Sequence, residues 1–164
     1  MPATRIELLQ GMPVFGAIRE DVLAFVIEVS RSVTVPAGSH FFREGDPAAS
    51  MFVVEAGSAA VLKGWQDREL MLGKLQRGDC FGEMALMDLM PRSASVRALE
   101  DCSALELTIE HLQGVFERDA EQYLLIQMNI GREVCRRLRA TDEMLFKLQM
   151  GEPFEPRNAA FAVN

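Results

Sequence analysis

The chain has 164 residues, 49% hydrophobic and 25% charged, with a formal net charge of −7; this fits one domain able to bury a core without a disulfide or metal staple. The acidic balance argues against nucleic acid as a partner, because polyanion binding rests on a basic surface, but it leaves room for a small anion met by local donors. Cys80, Cys102 and Cys135 form neither an even disulfide set nor a metal spacing, the first ten residues lack the long apolar stretch of a secretory signal, and no run approaches the ~18 apolar residues of a membrane span, so the expected location is the cytoplasm.

Residues 4–30 read as helical. Ile6, Leu8 and Leu9 form a short apolar patch before Gly11 and Pro13 interrupt it, and Val22, Phe25, Val26 and Val29 then recur at i, i+3, i+4 and i+7. From Ser32 the period falls to two. Val33 and Val35 alternate with polar residues, and Pro36, Ala37 and Gly38 turn the chain. Phe41 and Phe42 lead into the strong turn signal Arg43, Glu44, Gly45, Asp46, Pro47. Residues 51–54, 59–62 and 70–75 are short apolar strands, punctuated by Gly57, by Gly64 with the polar residues 66–69, and by the turn at 76–79. Residues 95–99 and 105–109 alternate again, with Leu105, Leu107 and Ile109 on one face. Short strands at regular spacing predict an antiparallel sandwich or barrel.

Residues 82–89 read as a helical insert within it, since they hold good helix formers and no β-branched residue. Residues 110–117 make a short helix, and Asp119 is placed to cap a long one over Ala120–Gln149. Within that helix Leu124, Met128, Gly131, Cys135, Leu138, Asp142 and Leu145 follow a heptad seam, imperfect at Gly131 and Asp142. Such a stripe has two readings: packing along the chain's own barrel, or a parallel helix pair across a homodimer. Gly151 and Pro153 stop the helix. One domain over residues 1–150 is expected, with its strands at about 31–109 and its last helices at about 110–149, followed by a flexible tail at 151–164.

The segment 81–98, FGEMALMDLMPRSASVRA, holds an acid and a base, Glu83 and Arg92, in otherwise apolar surroundings. Buried charges persist only when paired or hydrogen-bonded, so either the two satisfy each other or a ligand satisfies both. The second alternative has the logic of an anion site. Gly82 permits close backbone approach, the insert opens with unpaired N–H groups, Arg92 supplies a fork suited to phosphate, and Ser93 adds a hydroxyl. Glu83 cannot meet a phosphate favourably and would accept from something else, such as a sugar hydroxyl.

The combination of G-E-x-A-L, then P-R-S-A, then an alternating strand resembles the phosphate-binding cassette of the cyclic nucleotide-binding domain family. The resemblance covers roughly residues 6–148 and includes the Gly-punctuated strands before the cassette. It implies an α+β fold: an antiparallel β-roll, a jelly-roll-like double-stranded barrel, with N-terminal helices and a long C-terminal helix. It implies that Glu83 accepts the ribose 2′-hydroxyl and that Arg92 pairs with the cyclic phosphate. Gly82, Met84, Ala85, Ser93 and Ala94 would supply N–H groups or a hydroxyl, and Val61 and Leu72 would pack on sugar and base. CRRLRATDEM resembles the helix segment that reaches the purine in the cyclic-AMP receptor protein, which places Thr141, and secondarily Asp142, near the base. The ligand expected is cyclic AMP, or else cyclic GMP, without a metal. Ser93, rather than Thr, leans toward cyclic AMP.

Two departures stand out. Many cassettes carry Gly just before Pro-Arg, where this chain has Asp88, Leu89 and Met90; Leu89 and Met90 are expected to face a mobile C-terminal helix. The receptor's DNA-reading helix-turn-helix has no counterpart in the sequence, so direct DNA binding is not expected. A separate effector protein, or a homodimer through the last helix, would take the signal. His40 and His111 stand apart from any metal set, and Arg132, Arg136, Arg137 and Arg139 read as the solvated side of a helix. No nucleophile–base pair suggests an enzyme. The rival reading is a dimerisation or scaffold module with a vestigial site.

Overall fold

The computed structural model describes residues 4–158. Helix α1 (Arg5–Gln10) begins at Thr4, whose hydroxyl accepts from the Glu7 N–H while the Glu7 carboxylate takes the Thr4 N–H, a complete capping box. A 3-10 turn (Pro13–Phe15) and α2 (Glu20–Val29) follow, with Val22, Leu23 and Val26 buried. The strands are β1 (Arg31–Val35), β2 (His40–Phe42), β3 (Ser50–Ala56), β4 (Ser58–Trp65), β5 (Arg68–Gln76) and β6 (Cys80–Phe81), then, after α3 (Met84–Asp88), β7 (Ser95–Ala98) and β8 (Cys102–Thr108). Helices α4 (Ile109–Arg118) and α5 (Ala120–Gln149) and a two-residue β9 (Arg157–Asn158) complete the order.

The strands form two sheets, ordered β1-β8-β3-β6 and β2-β7-β4-β5-β9. They face one another as open layers, the sandwich of the two arrangements that the strand spacing allowed, and do not close into a barrel. All pairings are antiparallel except that of β9 with β5. Strand β3 shows why residues 51–54 are continuously apolar. Met51 and Val53 face the helices, in a core with Leu9, Phe15, Leu23, Leu105, Leu107, Ile126 and Ile130. Phe52 and Val54 face the interior between the sheets, with Leu75, Phe81, Val96 and Ala104. A strand covered on both faces loses its alternation.

Three elements differ from expectation. Ile109 does not end the last strand but opens α4, because Thr108 caps that helix: its hydroxyl accepts from the His111 N–H at 3.2 Å. His111 returns the bond through Nδ1 and so has a capping role. Strand β4 continues through Gly64 to Trp65, and the two-residue β6 pairs with Phe52 and Val53. Within the stretch read as a tail, Arg157 and Asn158 add to the open edge of β5 opposite Gly73 and Lys74; residues 159–164 lie outside the described residues.

Helix α5 starts at Asp119, whose carboxylate accepts from the Gln122 N–H at 3.0 Å, and ends before Gly151, which takes φ +87°. Its first half is anchored by Ile126, Asn129 and Ile130, and the Asn129 amide donates to the Gly16 carbonyl at 2.9 Å. The heptad stripe is a different face. Leu124, Met128, Leu138 and Leu145 are 59%, 47%, 60% and 56% exposed, so the stripe does not pack along the chain's own sheets.

Gly57 alone joins β3 to β4, at φ +81°, where a Cβ would lie 2.4 Å from the Asp101 carbonyl oxygen and 2.8 Å from Cys102 Cα. Gly57→Ala is expected to destabilise the fold by about 2–3 kcal/mol through backbone strain and overlap. Urea unfolding checks this; a loss no larger than that of Gly38→Ala, where a Cβ meets nothing within 4 Å, would show that the contact is relieved.

Candidate functional site

A cavity of about 490 Å³ opens between the β4/β5 hairpin, the segment 81–94 and α5, within the roughly 300–1,000 Å³ span of small-molecule sites. It collects ten of the residues singled out from the sequence: Val61, Leu72, Gly82, Glu83, Met84, Ala85, Arg92, Ser93, Ala94 and Thr141 line it, together with Lys63, Met90, Val134, Arg137 and Leu138. Asp142 does not line it and is exposed.

Local geometry follows from the residue types. Gly82 takes φ +77°, and a Cβ there would lie 2.5 Å from Arg92 Nη1. The close approach that requires glycine is therefore that of the Arg92 side chain. Helix α3 is closed by Leu89 in the left-handed region, φ 56°, its N–H returning to the Ala85 carbonyl, and the Asp88 carboxylate accepts the Met90 N–H at 3.0 Å. A branched side chain thus occupies a conformation that glycine takes at no steric cost. Leu89 and Met90 are 70% and 60% exposed; Met90 nevertheless shares the cavity wall with Leu138 and Thr141.

Arg92 is buried and largely fixed by groups of the protein itself. Nη1 donates to the Ser50 and Gly82 carbonyls at 2.8 and 3.1 Å, and Nη2 to the Ser50 hydroxyl at 3.2 Å. The guanidinium carbon sits 4.0 Å from the Phe42 ring centre, and Phe41, Phe42, Phe52 and Phe81 pack ring to ring beneath. The Ser50 hydroxyl donates to Glu106 at 3.0 Å, and Glu106 pairs with Arg31 at 2.8 Å. The Nε–H is buried and has no hydrogen-bond partner. Burial lowers the Arg92 pKa from its ordinary value, with Glu106, Asp46 and Glu83 opposing.

Glu83 is 1% exposed and does not pair with Arg92. Its partner is Arg137, which donates through Nη1 to Glu83 Oε1 and through Nη2 to the Cys80 carbonyl at 2.9 Å. Arg137 is therefore not on the solvated side of the helix. The signal that would have found it is its spacing: Val134, Arg137 and Thr141 stand three and four apart, on one helix face, and all three line the cavity. Burial raises the Glu83 pKa above the usual carboxylate range despite Arg137, and the same burial pushes the Cys80 thiol up to about 12. Burial works against the Arg137 charge as well, but Glu83, Cys80 and Glu133 outweigh it and hold the guanidinium protonated. Glu83 Oε2 has no hydrogen-bond partner. The Thr141 hydroxyl donates to the Arg137 carbonyl at 2.9 Å, which leaves its lone pairs free to accept. The cavity is thus lined by a buried carboxylate, a buried guanidinium and a hydroxyl able to accept.

Residues 32–119 match the sequence profile described as the cyclic nucleotide-binding domain. The chain belongs to the cyclic nucleotide-binding domain family. It is 30% identical over 147 residues to the cyclic AMP receptor protein of Thermus thermophilus, covering 88% of this chain and 65% of that one. It is 32% identical over 100 residues to the cAMP-dependent protein kinase regulatory subunit of Emericella nidulans, covering 60% of this chain but 24% of that protein. The fold matches a cyclic nucleotide-binding domain from Methylobacillus flagellatus with a TM-score of 0.76 at 20% identity, over 92% of this chain and 84% of that one. The chain thus spans about two-thirds of the receptor protein and a quarter of the kinase subunit. Among the described residues no group of His, Cys, Asp and Glu could hold a metal ion, and no helix is long and apolar enough to cross a membrane.

Breaking a buried ion pair strands the remaining charge, so Arg137→Ala is expected to destabilise the protein by about 3 kcal/mol. Glu83→Gln with Arg137→Met together should recover most of that loss. Chemical denaturation of the two variants checks this; equal losses would mean that the pair is not what holds Glu83 in place.

Proposed function

We propose that this domain is a non-enzymatic sensor of cyclic AMP. The observation that carries the reading is that two residues lining one cavity, Glu83 and Arg92, each keep a buried group without a hydrogen-bond partner, Oε2 as acceptor and Nε as donor. A ribose 2′-hydroxyl and a cyclic phosphate are a chemically matched pair of partners for them, and burial strengthens both bonds. Ser93 adds a hydroxyl and Ala94 an N–H on the phosphate side, Gly82, Met84 and Ala85 frame the sugar, and Val61 and Leu72 flank the base. Thr141 accepts from an adenine 6-amino group, which favours cyclic AMP over cyclic GMP. The relatives' names, a cyclic AMP receptor and cAMP-dependent kinase subunits, agree with that choice.

The signal leaves through α5. Its second half carries Arg137 and Thr141 over the cavity, beyond the anchored turn at Asn129 and Ile130. A ligand that engages Glu83 and Arg92 shifts the population toward an α5 position that covers the base and the exposed Leu89 and Met90. The exposed stripe Leu124, Met128, Leu138 and Leu145 suits a parallel homodimer, through which two sensors would move together or present a surface to a separate effector. The same stripe is what favours the second reading, a dimerisation module with a silent cavity, and ligand titration separates the two.

Calorimetry with cyclic AMP, cyclic GMP and 2′-deoxy cyclic AMP is the primary test. Cyclic AMP should bind tightest. Glu83→Gln should weaken it roughly ten- to a hundredfold and erase the preference for the 2′-hydroxyl. The ligand stabilises the charged carboxylate, so affinity should rise with pH through the raised Glu83 pKa, level off above it, and lose this dependence in Glu83→Gln. Heat of binding from none of the three nucleotides would sink the sensor reading. For the dimer, sedimentation equilibrium should show two chains in the parent protein and one in a Leu138→Glu, Leu145→Glu variant; a monomeric parent at its highest soluble concentration overturns it.

A further inference from the structure

We propose that Lys63, held by Glu44, is a positioning residue for the anionic group of the ligand and acts through the peptide joining Ser93 to Ala94. This rests on the reading of the cavity as a cyclic nucleotide site. Lys63 stands on β4 at the cavity wall. Its ammonium donates to the Ser93 carbonyl at 2.6 Å and pairs with the Glu44 carboxylate. The second Glu44 oxygen accepts the Gly64 N–H at 3.3 Å, which ties the acid to the same strand as the lysine.

The tie is one part of a larger brace. The Glu44 N–H donates to the Ser95 hydroxyl at 2.9 Å, the Gly45 N–H to the Arg92 carbonyl at 2.9 Å, and the Arg92 N–H to the Asp46 carbonyl at 2.9 Å. The turn after β2 therefore grips the Arg92 main chain on one side of Ser93 and the Ser95 hydroxyl on the other, and Lys63 grips Ser93 itself. No peptide among the described residues is cis. In a trans peptide the C=O and N–H point in opposite directions, so fixing the Ser93 carbonyl fixes the line of the Ala94 N–H. A cation on the carbonyl also polarises the peptide and makes that N–H a stronger donor.

A stability role does not account for the arrangement. The Lys63 and Glu44 side chains are 47% and 35% exposed, and pairs so open to water contribute little to folding. What an exposed pair can still do is hold one carbonyl in one direction. A geometric role of this kind has a signature that general charge does not. The Ala94 N–H meets one exocyclic phosphate oxygen better than the other, so turning it must change how the site tells those two oxygens apart.

The test is calorimetry on the full chain with cyclic AMP and with its two phosphorothioate diastereomers, each carrying sulfur in place of one exocyclic oxygen. Lys63→Met keeps the stem and removes the charge. It should weaken cyclic AMP by roughly three- to tenfold, as the loss of one oriented hydrogen bond does, and change the ratio of the two diastereomers' affinities. Lys63→Arg should restore both. Glu44→Gln, which frees the lysine, should move the ratio in the same direction and carries the test if Lys63→Met melts at a lower temperature. Unchanged affinity, or an equal loss for both diastereomers at an unchanged ratio, overturns the proposal while leaving the site itself standing. A parent protein that binds none of the three overturns the site reading and this inference with it.

Discussion

Burying the Glu83 carboxylate is the least favourable electrostatic act in this fold, and the Arg137 guanidinium is what makes it tolerable. The two residues are 54 positions apart and belong to different elements, the short segment after β6 and the long α5. Their contact therefore welds the last helix to the floor of the cavity. Neither charge could stay buried alone, so the cassette and the helix cannot be understood as separate parts. The welding is incomplete, because one Glu83 oxygen and the Arg137 Nε remain without hydrogen bonds. Such residual want is small beside the cost of an orphaned ion, yet it is where a further partner would act.

Arg92 illustrates the opposite strategy. Its charge is held by carbonyls, a serine hydroxyl and an aromatic face, with carboxylates kept one bond removed. Three N–H groups are occupied and Nε is buried without a partner, so the protein itself holds the guanidinium in one orientation. The hydrogen-bonded line from Arg92 through Ser50 and Glu106 to Arg31 crosses the sheet to its far edge. The four phenylalanines beneath complete a rigid seat.

Much of this was legible in the sequence because the chemistry was local. The cavity floor is one segment, 81–94, whose glycine, acid, arginine and serine each have a distinct physical requirement, and Asp119 marked the start of α5 to the residue. What escaped was non-local or two-sided. Periodicity says that a helix has faces but not which face meets a cavity, so Arg137 reads like its solvated neighbours, and the apolar stripe admits both packing on the chain's own sheets and a dimer seam until its exposure is seen. Ile109 has the side chain of a strand residue, and only the Thr108 cap assigns it to α4. Lys63 gave no local sign, since its partners Glu44 and Ser93 come together only when the sheet forms.

Gly131 stands in α5 just past Ile130, between the anchored half and the half that borders the cavity. A Cβ there would meet nothing within 4 Å, so packing makes no demand for glycine. What the glycine does is lower the helix's own persistence at that one joint, by about 0.8–1.0 kcal/mol relative to alanine. On the sensor reading, the threshold of the response is then stored partly in backbone entropy, at a position no ligand touches. Recognition and set-point are physically separable in such a design: a single methyl group at the joint would retune when the switch moves without altering what the cavity binds.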